Sequence, residues 1–229
     1  MTTIKANGKD WKALLSSAKV YVDEATIRVS DGKARILAVS TTRENMIYGE
    51  IDCEGEAEFS VVLEKMLKAM SAVDGDAEIE VGDGVLTIYG QSSKIRVPLI
   101  IADTCPNWPE KFLTPTSYCD VPPSLLDPIL SYGKYCNQSV VKISIADTKM
   151  RFEIYNEYGQ DTSEVESPNT AVGQVEATFS LTFIDTIIKH TKSCETVTIG
   201  GFADNTPMVV SWQEGTGRFR VLIAPRIED

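Results

Sequence analysis

Asn205-Thr-Pro-Met-Val-Val-Ser-Trp212 and then Arg218-Phe-Arg-Val-Leu-Ile-Ala-Pro-Arg-Ile-Glu-Asp229 close this 229-residue chain, and their reading decides the fold. Met208 to Trp212 is a short apolar and β-branched run, and Arg218 to Ile223 sets charged against apolar residues; both read as strands. Pro207 and Pro225 bound them, and neither has an N–H to give to a ladder.

Working back towards the N-terminus, the same kind of segment recurs as Thr196-Val-Thr-Ile199, Arg151-Phe-Glu-Ile-Tyr155 and Val140-Val-Lys-Ile-Ser-Ile145. Ala25 to Ser30 and Ala34 to Val39 alternate with period two around Asp31-Gly32, a strong hairpin signal. Glu78 to Val81 and Val85 to Tyr89 flank Gly82-Asp83-Gly84 in the same way. These Asp-Gly segments lack the carboxylate spacing and closing Glu of a calcium loop, so they are hairpin turns.

Four short segments carry helical spacing instead. Trp11, Leu14, Leu15 and Ala18 fall at i, i+3, i+4 and i+7, and Leu63, Met66, Leu67 and Met70 repeat the pattern. Leu125, Leu126, Ile129 and Leu130 form the third stripe; Leu181, Ile184, Ile187 and Ile188 form the fourth. The helices begin near positions 9, 61, 123 and 181, with strands in every gap, so a strand–helix–strands unit repeats along the chain. The repeats group as two pairs, a domain over 1–100 and another over 118–229. Residues 101–117, with Pro106, Pro109 and Pro115 and no periodicity, read as an extended connector.

The composition is that of a globular protein, 43% apolar and 24% charged. No apolar run approaches the roughly 20 residues of a membrane span. Met1-Thr-Thr-Ile-Lys5 has no apolar stretch after its charge, which predicts no signal peptide and a cytosolic or nuclear location. Cys53, Cys105, Cys119, Cys136 and Cys194 form no CxxC pair, and His190, the single histidine, cannot complete a zinc site alone. Buried free thiols and no metal or cofactor are expected. GxxxxGK[ST], GxGxxG and GxSxG motifs are all missing, so no enzyme activity is expected.

The net charge of −11 argues at first against nucleic acid. Its distribution reverses that argument. Segments 9–19, 61–73, 123–136 and 181–192 carry +2, +1, 0 and +1, a total of +4, so the remainder holds −15. Lys9, Lys12 and Lys19 lie opposite Trp11 and Leu15, and Lys65 and Lys68 share a face; Lys134, Lys189 and Lys192 mark the other two helices.

Ala177-Thr-Phe-Ser-Leu181, Glu195-Thr-Val-Thr-Ile199, the Pro207-Met-Val-Val strand opening and the Ala224-Pro-Arg-Ile-Glu-Asp ending together resemble the C-terminal domain of the proliferating cell nuclear antigen family of DNA sliding clamps. The first half is similar through Gly8 with the Trp11 to Lys19 helix, the Ala38-Val39-Ser40 strand end, and the Phe59 to Met70 helix with Lys65 and Lys68. The resemblance implies an α+β DNA clamp fold: two repeated clamp domains, outer β-sheets and four inner helices, closing as a trimer into a pseudo-six-fold ring. Twelve helices at about 10 Å spacing form a circle roughly 38 Å across, which leaves a hole wide enough for B-form DNA. Lysines facing that hole meet phosphates of any sequence, while an acidic exterior repels DNA.

By resemblance, then, the chain is expected to be a processivity factor that encircles double-stranded DNA without sequence preference, in replication and repair. Its DNA-facing residues are Lys9, Lys12, Lys19, Lys65, Lys68, Lys134, Lys189 and Lys192. DNA polymerase, clamp loader, nuclease and ligase are the implied partners. They bind through short peptide motifs on a pocket at Val39, Met46, Pro207, Leu222, Ala224 and Pro225. A homotrimer is expected, with the strand around Lys94 to Ile100 pairing with Asp161 to Ser167 of the next subunit. The location would be cytoplasmic and nucleoid-associated in a prokaryote, nuclear in a eukaryote. The alternative is a checkpoint-type clamp subunit or one member of a heterotrimer; the Ala224-Pro-Arg-Ile ending favours a replication clamp. Three features depart from the family pattern. Pro128 interrupts the third stripe, so that helix is expected to start near Asp127 as its N-cap. Arg43-Glu44 place charge in a loop where the family usually shows an apolar residue. The connector around Cys105 and Trp108 is unlike the common versions.

Overall fold

The computed structural model describes residues 2–90, 93–101, 114–135, 139–155 and 162–226. Most of the connector, with Cys105, Pro106, Trp108 and Pro109, lies outside the described residues, as do Cys136, Asp161 and the terminal Ile227-Glu-Asp.

Among the described residues a single motif, strand–helix–three strands, occurs four times. The first copy is β1 (Thr2–Asn7), α1 (Gly8–Lys19), β2 (Glu24–Ser30), β3 (Lys33–Val39) and β4 (Asn45–Asp52). The second is β5 (Ala57–Val62), α2 (Leu63–Ser71), β6 (Asp76–Val81), β7 (Val85–Tyr89) and β8 (Lys94–Pro98). The third is β9 (Ser117–Val121), α3 (Leu126–Tyr135), β10 (Val140–Ala146), β11 (Lys149–Tyr155) and β12 (Thr162–Glu166). The fourth is β13 (Val175–Ser180), α4 (Leu181–Thr191), β14 (Val197–Gly201), β15 (Met208–Glu214) and β16 (Gly217–Ile223).

These elements form two compact units, Met1–Trp108 with Gln213–Arg220, and Pro109–Trp212 with Val221–Asp229. In the first unit, β1-β6-β7-β8 form one antiparallel sheet and β5-β2-β3-β4 a second series. In the second unit the counterparts are β13-β10-β11-β12 and β9-β14-β15. The last hairpin's tip is held in the first unit by specific bonds. Thr216 Oγ1 donates to Asp10 Oδ2 at 2.7 Å and accepts from the Asp52 N–H at 3.2 Å, and Arg218 reaches Glu50 at 3.8 Å.

Local chemistry explains the turns and caps. Asp31 and Gly32 both have positive φ, 53° and 72°, as the twist-matched two-residue hairpin requires. The Asn7 side chain caps α1 by accepting from the Lys9 N–H at 2.9 Å, and Ser180 caps α4 through Thr182. Two helices start alike: the Leu63 N–H donates to Asp23 O at 2.9 Å and the Leu181 N–H to Ser139 O at 2.8 Å. The third helix does not start at an Asp127 cap. A 3-10 turn, Pro123–Leu125, leads directly into Leu126, so Asp127 and Pro128 both stand in the first helical turn. There the missing proline N–H has no intrahelical partner to lose.

The apolar stripes face inward. Trp11, Leu14, Leu15 and Ala18 of α1 are fully buried, as are Leu63, Met66 and Met70 of α2. Leu181, Ile184, Ile187 and Ile188 of α4 are buried too. The stripe of α3 differs from its expectation. Leu126 and Ile129 are buried, but the next buried position is Gly133, while Leu125 and Leu130 are only half-buried. A Cβ at Gly133 would stand 2.3 Å from Leu181 Cδ1, so glycine permits the close packing of α3 on α4. Leu67, expected in the α2 stripe, is likewise only half-buried.

Candidate nucleic-acid interface

Polar faces of the four helices carry the candidate cations, and the two units build them alike. In the first unit Lys68 bonds Glu64 at 2.6 Å, one turn earlier on α2, and Lys19 in the last turn of α1 pairs with Asp23. The Lys68 hydrogen bond holds the Glu64 carboxyl below its ordinary range, and Lys19 contributes in the same direction. In the second unit Lys189 bonds Asp185, again one turn earlier, and lowers its carboxyl pKa; Lys134, in the last turn of α3, acts on the same group. Each unit thus sets a last-turn lysine of its first helix beside an i,i+4 acid–lysine pair of its second. Lys68, Glu64, Lys189, Lys134 and Asp23 are exposed and Lys19 and Asp185 half-buried, so each pair keeps at least one partner in solvent, is weak, and leaves its lysine available to stronger anions.

The eight predicted lysines fall into two sets. Lys12 donates to the Val73 carbonyl at 3.3 Å, and Lys19, Lys68 and Lys189 are ion-paired. Lys9, Lys65, Lys134 and Lys192 are exposed, and their side chains have no hydrogen-bond or ion-pair partner among the described residues. Sequence reasoning missed Tyr132 and Tyr135, which lie 6.3 Å apart between ring centroids beside Lys134, Tyr135 being 87% exposed. Their i,i+3 spacing off the apolar stripe was the available signal.

His190 is not on the exposed lysine face. Its ring stacks on Trp212, 6.0 Å between centroids and 17° between planes, and its Nε2 is buried without a hydrogen-bond partner. Burial, then the charge of Lys189, pushes its pKa below the ordinary value. Cys53 and Cys119 are buried free thiols, and burial raises both pKa values, that of Cys53 to about 11. Among the described residues no group of three or more His, Cys, Asp or Glu is placed to hold a metal, and no helix is long and apolar enough to cross a membrane.

The predicted partner residues divide between the units. Val39 and Met46 face each other in register at the end of the β3–β4 hairpin, both half-buried, in the first. Pro207, Leu222, Ala224 and Pro225 belong to the second and are also half-buried. Two bonds draw their segments to one strand: the Asn205 N–H donates to Glu176 O at 2.9 Å and the Arg226 N–H to Thr178 O at 2.8 Å, both on β13.

No protein-family model and no curated protein matches the sequence. Solved structures match its shape. The PCNA of A. fulgidus, in a structure with the C-terminal region of FEN-1 bound, aligns over 100% of both chains with a TM-score of 0.86 at 18% identity. The proliferating cellular nuclear antigen of Entamoeba histolytica covers 99% of this chain and 98% of its own, with a TM-score of 0.80 at 13% identity. The chain has the α+β fold of proliferating cell nuclear antigen along its whole length.

Proposed function

We propose that the chain is a non-enzymatic subunit of a DNA sliding clamp, three copies of which close a ring around duplex DNA. The observation that carries this reading is the segregation of charge on this fold: +4 on the four helical segments with their flanking residues (9–19, 61–73, 123–136 and 181–192) against −15 elsewhere, with lysines at matching places in both units. Diffuse contacts from Lys9, Lys65, Lys134 and Lys192, joined by the weakly paired lysines, would neutralise phosphates without reading bases. Retention would then come from topology rather than affinity, and the clamp's output would be the raised local concentration of whatever it tethers.

Two open edges support assembly. Among the described residues β8 pairs with β7 alone and β12 with β11 alone, so each offers an edge to another copy. β8 carries exposed Lys94 and Arg96, while β12 carries exposed Glu164 and Glu166. The half-buried apolar residues Val39, Met46, Pro207, Leu222, Ala224 and Pro225 would receive short partner motifs. The A. fulgidus neighbour has the C-terminal region of FEN-1 bound to it.

Retention on circular against linear DNA tests encirclement. Clamps loaded on a closed circle should stay bound and leave when the circle is cut. Substituting Glu at Lys9, Lys65, Lys134 and Lys192 should weaken the salt-dependent attraction that brings the clamp onto DNA and flatten its salt dependence, while assembly and the retention of rings already closed on a circle stay intact. Equal retention on linear and circular DNA would refute the ring.

A further inference from the structure

The loop between β3 and β4, Ser40 to Asn45, is closed by its own bonds. The Ser40 N–H donates to Asn45 O and the Arg43 N–H to Ser40 O, both at 2.9 Å; the Asn45 N–H donates to Ser40 Oγ at 3.1 Å. Ser40 Oγ and Thr42 Oγ1 lie 3.3 Å apart, and Thr42 Oγ1 donates to Glu44 Oε2 at 3.0 Å. Inside this closed loop Arg43 has a φ of 59°. Glycine or asparagine would hold that left-handed conformation at lower cost than arginine. Strain of this kind persists where the surroundings over-determine it, and it concentrates at sites that bind.

The charge of Arg43 is also unspent. Its side chain is exposed and has no ion pair or hydrogen bond among the described residues, in a chain of net charge −11 where the other loop charge, Glu44, is turned onto Thr42. The loop joins the ends of the two strands on which Val39 and Met46 sit opposite each other. A peptide seated on Val39 and Met46 therefore passes within reach of one uncompensated guanidinium, carried on a backbone that the loop holds in place.

We infer that Arg43 is a specificity residue of the partner site: it selects partner peptides that carry an acidic residue beside their apolar anchors. The inference rests on the proposed partner surface and adds what that surface discriminates. A carboxylate on the peptide would form a charge-assisted bond to the guanidinium, and a lysine there would be repelled. Because the pair sits on an exposed rim, its effect is modest and screened by salt.

The test uses the assembled full chain and two peptides with the same aliphatic and aromatic anchors, one flanked on both sides by Asp and one by Lys. At low salt the wild type should bind the Asp-flanked peptide about fivefold more tightly, and high salt should erase the difference. Arg43→Gln, which removes the charge and keeps a polar side chain, should bind both peptides alike, and Arg43→Glu should reverse the preference. Met46→Asp should weaken both peptides together. Equal binding of the two by wild type, or a preference that survives Arg43→Gln, overturns the inference and leaves the partner surface standing. Binding of neither peptide by wild type removes that surface and the inference with it.

Discussion

Thr148 is a β-branched residue at φ 64°, next to Asp147 at φ 52°, in the two-residue turn between β10 and β11. The turn's twist demands both values, and its place is fixed by the Ala171 N–H, which donates to Thr148 O at 2.7 Å. Threonine therefore carries a local steric cost that glycine would remove. Thr148→Gly should stabilise the fold by about 1 kcal/mol, less the entropy glycine adds to the unfolded chain. A higher urea midpoint with an unchanged slope is the expected result; a lower midpoint would show that the threonine side chain contributes more than its backbone costs. His190 makes a second residue-scale case. Burial against Trp212 and the charge of Lys189 lower its folded pKa, so the folded state prefers the neutral ring. The unfolded chain takes up its proton near the ordinary value of about 6.5. The stabilising preference is thus fully present above that pH and is lost as pH falls through the lower folded value. Urea midpoints followed from pH 7 to about pH 5 should fall in the wild type, and the fall should be shallower in His190→Gln. Parallel slopes would mean that His190 is not the group responsible.

Pro128 tests the helix start. Pro128 stands in the first turn of α3, where its absent N–H costs no bond within that helix, so Pro128→Ala should change stability by less than about 1 kcal/mol. Ser131→Pro, one turn later, should cost about 3 kcal/mol or more. Similar effects for the two would show that α3 starts elsewhere. The position of that start was misread from sequence because the 3-10 turn at Pro123–Leu125 takes the place of a side-chain cap and leaves no cap signature. The predicted stripes of α1 and α4 are buried at every position because they carry apolar residues with a 3.6-residue period, whereas the buried polar Ser17 and Thr191 beside them gave no such signal. The α3 stripe was legible only in part, since its third buried position is Gly133, which has no apolar side chain to register. Among the candidate lysines, the Lys68–Glu64 and Lys189–Asp185 pairs follow from i,i+4 spacing. The tie from Lys12 to the Val73 carbonyl does not, because folding brings together residues 61 positions apart. The same limit hid the hairpin tip at Thr216, whose partner Asp10 stands at the other end of the chain.

At the scale of the whole molecule, β8 and β12 each stand at one end of a four-stranded sheet among the described residues, opposite β1 in the first unit and β13 in the second. Unpaired strands expose backbone donors and acceptors that invite pairing, and the chain dresses these two with opposite charge. Lys94 and Arg96 are exposed on β8, with the Lys94 ammonium 5.1 Å from the Tyr89 ring centre; Glu164 and Glu166 are exposed on β12. On the second edge the acids are already shared with Arg151 and Lys149, through contacts such as Arg151 to Glu164 at 3.2 Å. Glu164, Glu166 and Lys149 are exposed and Arg151 half-buried, so these shared pairs are screened by solvent and the acids stay open to a second cation. Head-to-tail pairing of β8 with β12 uses different surfaces on each copy, so it forms a closed ring only if the rotation per step fits, and three steps are the expectation. Sedimentation of the wild type should then give about three times 25.2 kDa. Reversing one edge, Lys94→Glu with Arg96→Glu, should set acid against acid and shift the protein towards monomer, most strongly at low salt. Glu164→Lys with Glu166→Lys should do the same, because those lysines would meet both the neighbour's basic edge and their own Arg151. Mixing the two variants should restore assembly across only one type of junction, where the reversed β8 of one meets the reversed β12 of the other. A chain carrying all four substitutions makes every junction complementary again and should recover the trimer. Persistent monomer in the fourfold variant, with its fold intact by circular dichroism, would place the subunit contact away from these edges.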